Sequence, residues 1–309
     1  MALQYTQNIF CVKWWIAEIS MHWTLDILCL DLNMASHYNL LIYEELIMKK
    51  IFSTAVILAS LFTFIGCAKK TVTINSTEDL VGKKVGCQSG TTGELYLTEE
   101  LKGVKVQSFK TGIDASLSLK NGAIDALVLD ELPAKEIVRR TPELKILDIP
   151  FASEEYAIAV RKGDKELLDS VNKTIAALKA DGTYEKLVST FMPVDGSDII
   201  VPSDLTYPEN AEVIKMGTNA AFPPFEYVDG TKVVGFDATF AQYIARDYGK
   251  KLQIVDMSFD GLIAALQAGS IDFIAAGMTA TDERRENVDF SEPYYSSNQV
   301  IIVRGDQKK

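Results

Sequence analysis

The stretch GTNAAFPPFEY, Gly217 to Tyr227, decides how this chain is read. Its first residues end a β-rich run, VIKMGTN, and it leads into FDATFAQYIARDYGK, which has the spacing of an amphipathic helix. KLQIVDM then reads as a strand, FDGLIAALQAG as a helix and IDFIAAG as a third strand. The earlier half has the same plan: KKVGCQ, a helix from about Thr92, KVQSF, a helix through Leu119, then AIDALVLD. Short strands alternating with helices predict an α/β fold with parallel sheet.

The two halves align without gaps at one point. Gly269-Ser-Ile-Asp-Phe-Ile-Ala-Ala-Gly277 matches Gly122-Ala-Ile-Asp-Ala-Leu-Val-Leu-Asp130, and Leu266 matches Leu119. A second register pairs Gly217-Thr-Asn219 with Gly86-Cys-Gln88. Asn219, Gly277, Gln88 and Asp130 are thereby expected at the carboxyl ends of equivalent strands, where open α/β sheets bind ligands. Two such lobes facing each other would set all four around one cleft.

The 309 residues leave room for two lobes, each with its own core. A net charge of -11 argues against nucleic acid, which needs a basic surface. Both histidines (His22, His37) and all three tryptophans (Trp14, Trp15, Trp23) lie in residues 1–47, which read as an over-extended or non-native start, the alternative being an extra membrane-associating helical segment. From Met48 the pattern is that of a signal peptide, residues 48–67: Met48-Lys49-Lys50, an apolar run from Ile51 to Ile65, then Gly66-Cys67. The small residue before Cys67 resembles a lipobox, which would make Cys67 the acylated first residue and anchor the protein to a membrane. Of the other cysteines only Cys87 would survive processing, so no disulfide framework is expected, and Cys87 reads as a small core residue. With no histidine after residue 37, a histidine triad or histidine metal site is excluded from the mature body. No metal or other cofactor is expected.

GTNAAFPPFEY, KVVGFDATFAQYIA and FDGLIAALQAGSIDFIAAGMTATDERRENVDFSEPYY resemble, in that order, the first lobe of an ABC-transporter amino-acid-binding protein, solute-binding family 3. INSTEDLVGKKVGCQSGTTGELY, NGAIDALVLDELPAK, LKILDIPFASEEYAIAV and ADGTYEKLVSTF resemble the second lobe and closing helices, yet stand first. The resemblance implies a two-lobed, type II periplasmic-binding-protein-like α/β fold, circularly permuted, with two hinge crossings near Glu155-Tyr156-Ala157 and Tyr294 to Asn298. Lobe 2 would be residues 71–155 plus 297–309. Lobe 1 would be 156–296, including a linker at 193–211 that joins the ancestral termini and holds Pro193, Pro202 and Pro208. The implied function is extracytoplasmic capture of a polar amino acid and delivery to an ABC permease, by a monomer and without catalysis.

Such a site must pair a carboxylate and an ammonium. Arg284 is the candidate for the carboxylate, because a guanidinium fork makes two parallel bonds to it. The backbone at Gly277 and Thr279 and the Thr279 hydroxyl could share that load. Thr91 and Thr92, opening a helix from the other lobe, add free amides. Asp130 is the candidate for the ammonium. The resemblance assigns Arg284 and Asp130 these same roles, and sets Phe222 and Phe259 as aromatic walls with Asn219 and Gln88 at the side-chain end. The plainer alternatives are that Arg284 pairs with Asp282, Glu283 or Asp289, that Asp130 caps the helix DELPAKEIVRR, and that either ring is ordinary core. A rival enzyme reading would need an acid or base in the cleft; Glu94 and Glu226 are its candidates, and neither is expected where the ligand lies. A ligand-binding sensor module is a further rival.

Overall fold

Two parallel-cored sheets carry the fold, and the chain leaves the first to build the second before returning. The computed structural model describes residues 49–50, 73–149, 152–194 and 197–305. The extension 1–47, most of the signal segment and Cys67 lie outside the described residues. Both large sheets belong to the compact unit Lys70–Lys309.

The first half lays down β1 (Lys84–Gln88), helix α1 (Thr92–Leu95), β2 (Lys105–Phe109), α2 (Gly112–Lys120), β3 (Ala126–Asp130), α3 (Glu131–Arg140), β4 (Leu144–Ile146) and β5 (Ala152–Tyr156). α1 continues as a wider π turn, Tyr96–Glu100, so the helix expected from Thr92 is there but irregular. The chain then forms β6 (Ala159–Arg161), α4 (Lys165–Ala180) and α5 (Thr183–Phe191). After the extended segment ending near Glu212 come β7 (Val213–Thr218), β8 (Ala221–Phe222), β9 (Glu226–Asp229), β10 (Lys232–Val234), α6 (Phe236–Asp247), β11 (Lys251–Asp256), α7 (Leu262–Gln267), β12 (Phe273–Ile274), α8 (Asp282–Asn287), β13 (Val288–Phe290) and β14 (Tyr295–Arg304).

The first sheet has the order β2-β1-β3-β14-β4, with β5 also paired to β14. The second runs β11-β7-β12-β6-β13, and β8, β9 and β10 make a small antiparallel sheet. In each large sheet the second parallel strand, the first and the third lie side by side, in that order.

The internal repeat has a packing cause. At Gly86 an added Cβ would overlap the Cδ1 of Ile124, and at Gly217 that of Ile271. Both positions take glycine because an isoleucine of the third strand's approach is packed directly onto the first strand. The next residue of each Ile-Asp pair closes the same ring of bonds. Asp125 accepts from the Lys84 amide at 2.9 Å and its own amide donates to the Lys84 carbonyl at 2.7 Å. Asp272 does the same with Lys215, at 2.8 Å in both directions. The aligned registers therefore correspond to one recurring contact, not merely to similar letters.

One strand is shorter than the sequence predicts. IDFIAAG gives a ladder only at Phe273–Ile274, because the backbone turns at Gly277, φ +55°, where the amide leaves the sheet direction and donates to Asp237 at 2.9 Å. β14, by contrast, is ten residues long. Its first half pairs β5, from Tyr295↔Tyr156 to Gln299↔Ala152; its second half lies between β3 and β4. Ile301, Ile302 and Val303 are fully buried there. The segment before β7 is held against its neighbours: the Leu205 amide donates to Gln242 at 2.7 Å, Asp204 pairs with Lys232 at 2.7 Å, and Ile199, Val201 and Tyr207 pack on the core.

Candidate functional site

The ten residues singled out from the sequence as ligand contacts all line one cavity between the two sheets' carboxyl ends: Gln88, Thr91, Thr92, Asp130, Asn219, Phe222, Phe259, Gly277, Thr279 and Arg284. Three more, Glu154, Glu226 and Ala276, line it without being among those ten. The cavity is nearly shut. It leaves about 10 Å³ for the centre of a water molecule, room for roughly one water.

Arg284 is placed by a short capped helix. Thr281 accepts from the Arg284 amide at 3.2 Å, which fixes the first turn of α8 and turns the side chain back toward the cleft. The guanidinium is 7% exposed. It donates from Nη1 to the Thr279 carbonyl at 2.7 Å and from Nη2 to the Gly90 carbonyl, across the cleft, at 2.7 Å. Its carbon lies 5.5 Å from the Phe259 ring centroid, a cation–π distance. Among the described residues no ion pair joins Arg284 to Asp282, Glu283 or Asp289, so the plainer expectation for this side chain does not hold. Burial, its main cause, lowers the Arg284 pKa, which leaves a poorly hydrated cation facing the cavity.

Asp130 sits at the end of β3, at the cap position of α3, but its side chain makes no cap bond. It accepts instead from the Tyr156 hydroxyl. Burial first, and the charge of nearby Glu154 second, push its pKa up to about 8. A cation brought beside it would restore the ionised form. Glu154 accepts from the Thr279 hydroxyl at 3.0 Å and from Gln299 at 3.3 Å, and its Oε1 has no partner among the described residues.

On the far side of the cavity Gln88 donates to Asn219 Oδ1 at 2.9 Å, again across the cleft, while Asn219 donates to the Met257 carbonyl at 2.8 Å. Thr91 donates its hydroxyl to the Gln88 carbonyl at 2.7 Å. Phe222 stacks on Phe225 at 5.7 Å, so it is a cavity wall backed by core. Gly277 is closely fitted: an added Cβ would lie 2.7 Å from Phe222 Cε1. Its amide is spent on Asp237, and the Thr279 hydroxyl on Glu154, so neither donor is idle in the shut cleft.

Glu226 departs from expectation. The sequence sets it away from any ligand, yet it lines the cavity and is 1% exposed. β9 begins at this residue, and the turn after β8 carries it inward beside Asp237. The PPFEY run gives no periodic signal for an inward acid, because the direction is set by that turn. Glu154 was missed for another reason: strand alternation in ASEEY does place it on the same face as Tyr156, but a two-glutamate run reads as solvated.

The family model of the bacterial extracellular solute-binding proteins, family 3, matches residues 33–194 and 214–309. The arginine-binding extracellular protein ArtP of Bacillus subtilis (strain 168) is 43% identical over 91 residues, 29% of this chain and 36% of that protein. The ABC transporter arginine-binding protein 1 of Escherichia coli (strain K12) is 36% identical over 126 residues, 39% of this chain and 52% of that protein. A solved structure, an ancestral arginine-binding protein bound to arginine, is 50% identical over 27% of this chain and 37% of that one, with a TM-score of 0.27. The chain thus spans between about a third and a half of these relatives. The family match covers most of the sequence and both sheets, so the chain belongs to the bacterial extracellular solute-binding proteins, family 3.

Proposed function

We propose that this protein captures a free amino acid outside the cytoplasm and delivers it to an ABC permease, by closing two lobes on the ligand. The observation that carries this reading is the convergence of Arg284, on α8 next to β13 of the second sheet, and Asp130, at the end of β3 in the first, on one cavity. The guanidinium would take the α-carboxylate and Asp130 the α-ammonium. Neither reaches both ends of a ligand alone, so binding would favour the closed arrangement. The near-absence of space in the shut cavity supports a cycle in which the Gln88–Asn219 and Arg284–Gly90 bonds part before a ligand enters.

The lining favours a basic side chain over a neutral one. Beside Asp130 it holds Glu154 against a single cation, Arg284, while Glu226 lies against Asp237. Asn219 sets a neutral amide at the side-chain end, but Glu154 adds a carboxyl group beyond the one that takes the ammonium. Relatives named for binding arginine support this choice.

We read the domain order as a circular permutation, with lobe 2 as 71–155 plus 297–309, lobe 1 as 156–296, and hinges where β5 leads to β6 and where β13 leads to β14. The break in the family match at 195–213 coincides with the proposed linker and supports it. Lipid anchoring at Cys67 and a monomeric state belong to the same proposal.

A thermal-shift screen of the purified protein against the common amino acids in both chiralities tests the reading. A ligand at a hundredfold excess over Kd adds about 2.7 kcal/mol of stability. A shift that disappears in Arg284→Ala establishes binding, whereas a flat profile from folded protein refutes it.

A further inference from the structure

Glu226 and Asp237 stand side by side behind the cleft, 1% and 0% exposed. Asp237 Oδ2 accepts twice, from the Gly277 amide at 2.9 Å and from the Tyr294 hydroxyl at 2.6 Å. Its Oδ1 meets no N–H or O–H donor among the described residues other than what Glu226 can offer, and the same holds for both Glu226 oxygens. The groups facing Glu226 come from several elements: Asp237 from α6, Asp130 from the end of β3, Asp256 from the end of β11, and Tyr294 from the segment before β14. Glu154 and Arg284 share the cavity that it lines.

Two ionised carboxylates cannot sit together in this dry, acidic corner without large repulsion and desolvation costs. One proton resolves both. A protonated Glu226 donates to Asp237 Oδ1, and Asp237 keeps its charge to hold the Gly277 amide and the Tyr294 hydroxyl. Burial, above all, raises the Glu226 pKa well above its ordinary value and Asp237 to about 6, in line with a shared proton.

We infer that Glu226 and Asp237 are the positioning pair of the ligand site: together they hold one proton, which fixes the Asp237 carboxylate that ties the Gly277 wall to the Tyr294 segment and is taken up from solvent as the cleft shuts over Glu226. The inference rests on the amino-acid-binding reading for its second half only. In a parted cleft Glu226 borders water and ionises as an ordinary glutamate. Closing removes that water, and the carboxylate takes a proton. Ligand affinity therefore weakens as pH rises, by up to about tenfold per unit for one linked proton. Any proton that Asp130 gives up to a bound ammonium is given up alike in wild type and in Glu226→Gln, so the difference between the two reports Glu226 alone.

The test has two arms on the full chain. Infrared spectra at neutral pH, with and without an equimolar mixture of the twenty common L-amino acids, are compared for wild type and Glu226→Gln; a protonated-carboxyl carbonyl band that the variant lacks is expected with the cleft shut, and absence of that band from wild type in both samples overturns the shared proton. Calorimetry with an equimolar mixture of the twenty common L-amino acids, in two buffers of different ionisation enthalpy, then reads proton uptake. Up to one proton more taken up by wild type than by Glu226→Gln is expected, since the amide still donates to Asp237 but cannot titrate. The same buffer dependence in wild type and Glu226→Gln overturns the coupling to closure. No binding heat at all, with the infrared band present, sinks the amino-acid reading and the coupling while leaving the proton pair standing. Should Glu226→Gln not fold, Glu226→Met, of similar size and without a titrating group, serves in both arms.

Discussion

Gln88 and Asn219 occupy equivalent strand ends of the two large sheets and are bonded to each other, Nε2 to Oδ1, at 2.9 Å. The bond closes the side-chain end of the cavity. Replacing Asn219 by Asp keeps an acceptor for Gln88 and adds a charge. Asn219→Asp is expected to shift preference further toward basic amino acids, read by competition calorimetry between arginine and glutamine. An unchanged ranking would place the ligand's side chain elsewhere in the cavity.

Arg284 carries a double duty, since its Nη2 bond to Gly90 is itself a cross-cleft tie. Arg284→Ala is expected to cost about 2–5 kcal/mol of ligand binding, for every amino acid alike, because the carboxylate is common to all. Arg284→Lys keeps the charge but cannot form the fork, and is expected to recover only part of the loss. A loss confined to some amino acids would remove Arg284 from the carboxylate.

Gly277 is strained for any other residue, by its φ of +55° and by Phe222, whose Cε1 would lie 2.7 Å from an added methyl. Gly277→Ala is expected to destabilise the protein by about 1–3 kcal/mol and to weaken ligand binding as Phe222 is pushed aside. Chemical denaturation and calorimetry together separate the two effects.

Asp130 sets a pH dependence in the ligand-free protein. Its pKa rises from 3.8 to about 8 on folding, so between those values the folded chain binds more protons than the unfolded one. Stability from this group therefore falls as pH rises through that window. Tm of wild type is expected to drop between about pH 5 and 8 more steeply than that of Asp130→Asn, in which the amide oxygen still accepts from Tyr156. Parallel profiles would mean that Asp130 is hydrated in the ligand-free state.

Truncation after Ser297 removes the half of β14 that fills the first sheet. Ile301, Ile302 and Val303 are each fully buried, worth roughly 1.5–3 kcal/mol apiece. The loss is comparable with a whole domain's stability of about 5–15 kcal/mol. Loss of cooperative unfolding is expected; a truncated chain with wild-type melting would contradict the strand order.

Much of the fold was legible because the repeat encodes contacts. The glycine of each first strand and the Ile-Asp of each third strand meet in space, so aligning them located both sheets and the strand ends around the cavity. The ladder at IDFIAAG is shorter than its letters suggest because a bond from Gly277 to Asp237, forty residues away in sequence, turns the backbone. Glu154 escaped notice, and Glu226 was set away from the ligand, because acids usually face water; only the assembled cleft shows that both line it. Pairwise sequence patterns locate strand ends well; they do not register which charges a closing cleft will trap.

β14 also governs the order in which this chain can be built. The strands β1 to β5 leave the ribosome first, yet β3 keeps an open hydrogen-bonding edge until the last described residues arrive to cover it. The second sheet, made of residues between Ala159 and Phe290, can close on its own beforehand. Vectorial synthesis thus yields a finished half carried beside an unfinished one, the arrangement most exposed to edge-to-edge association. Completion of the first sheet waits for β14 to emerge, so the earlier-made of the two sheets is the later to finish.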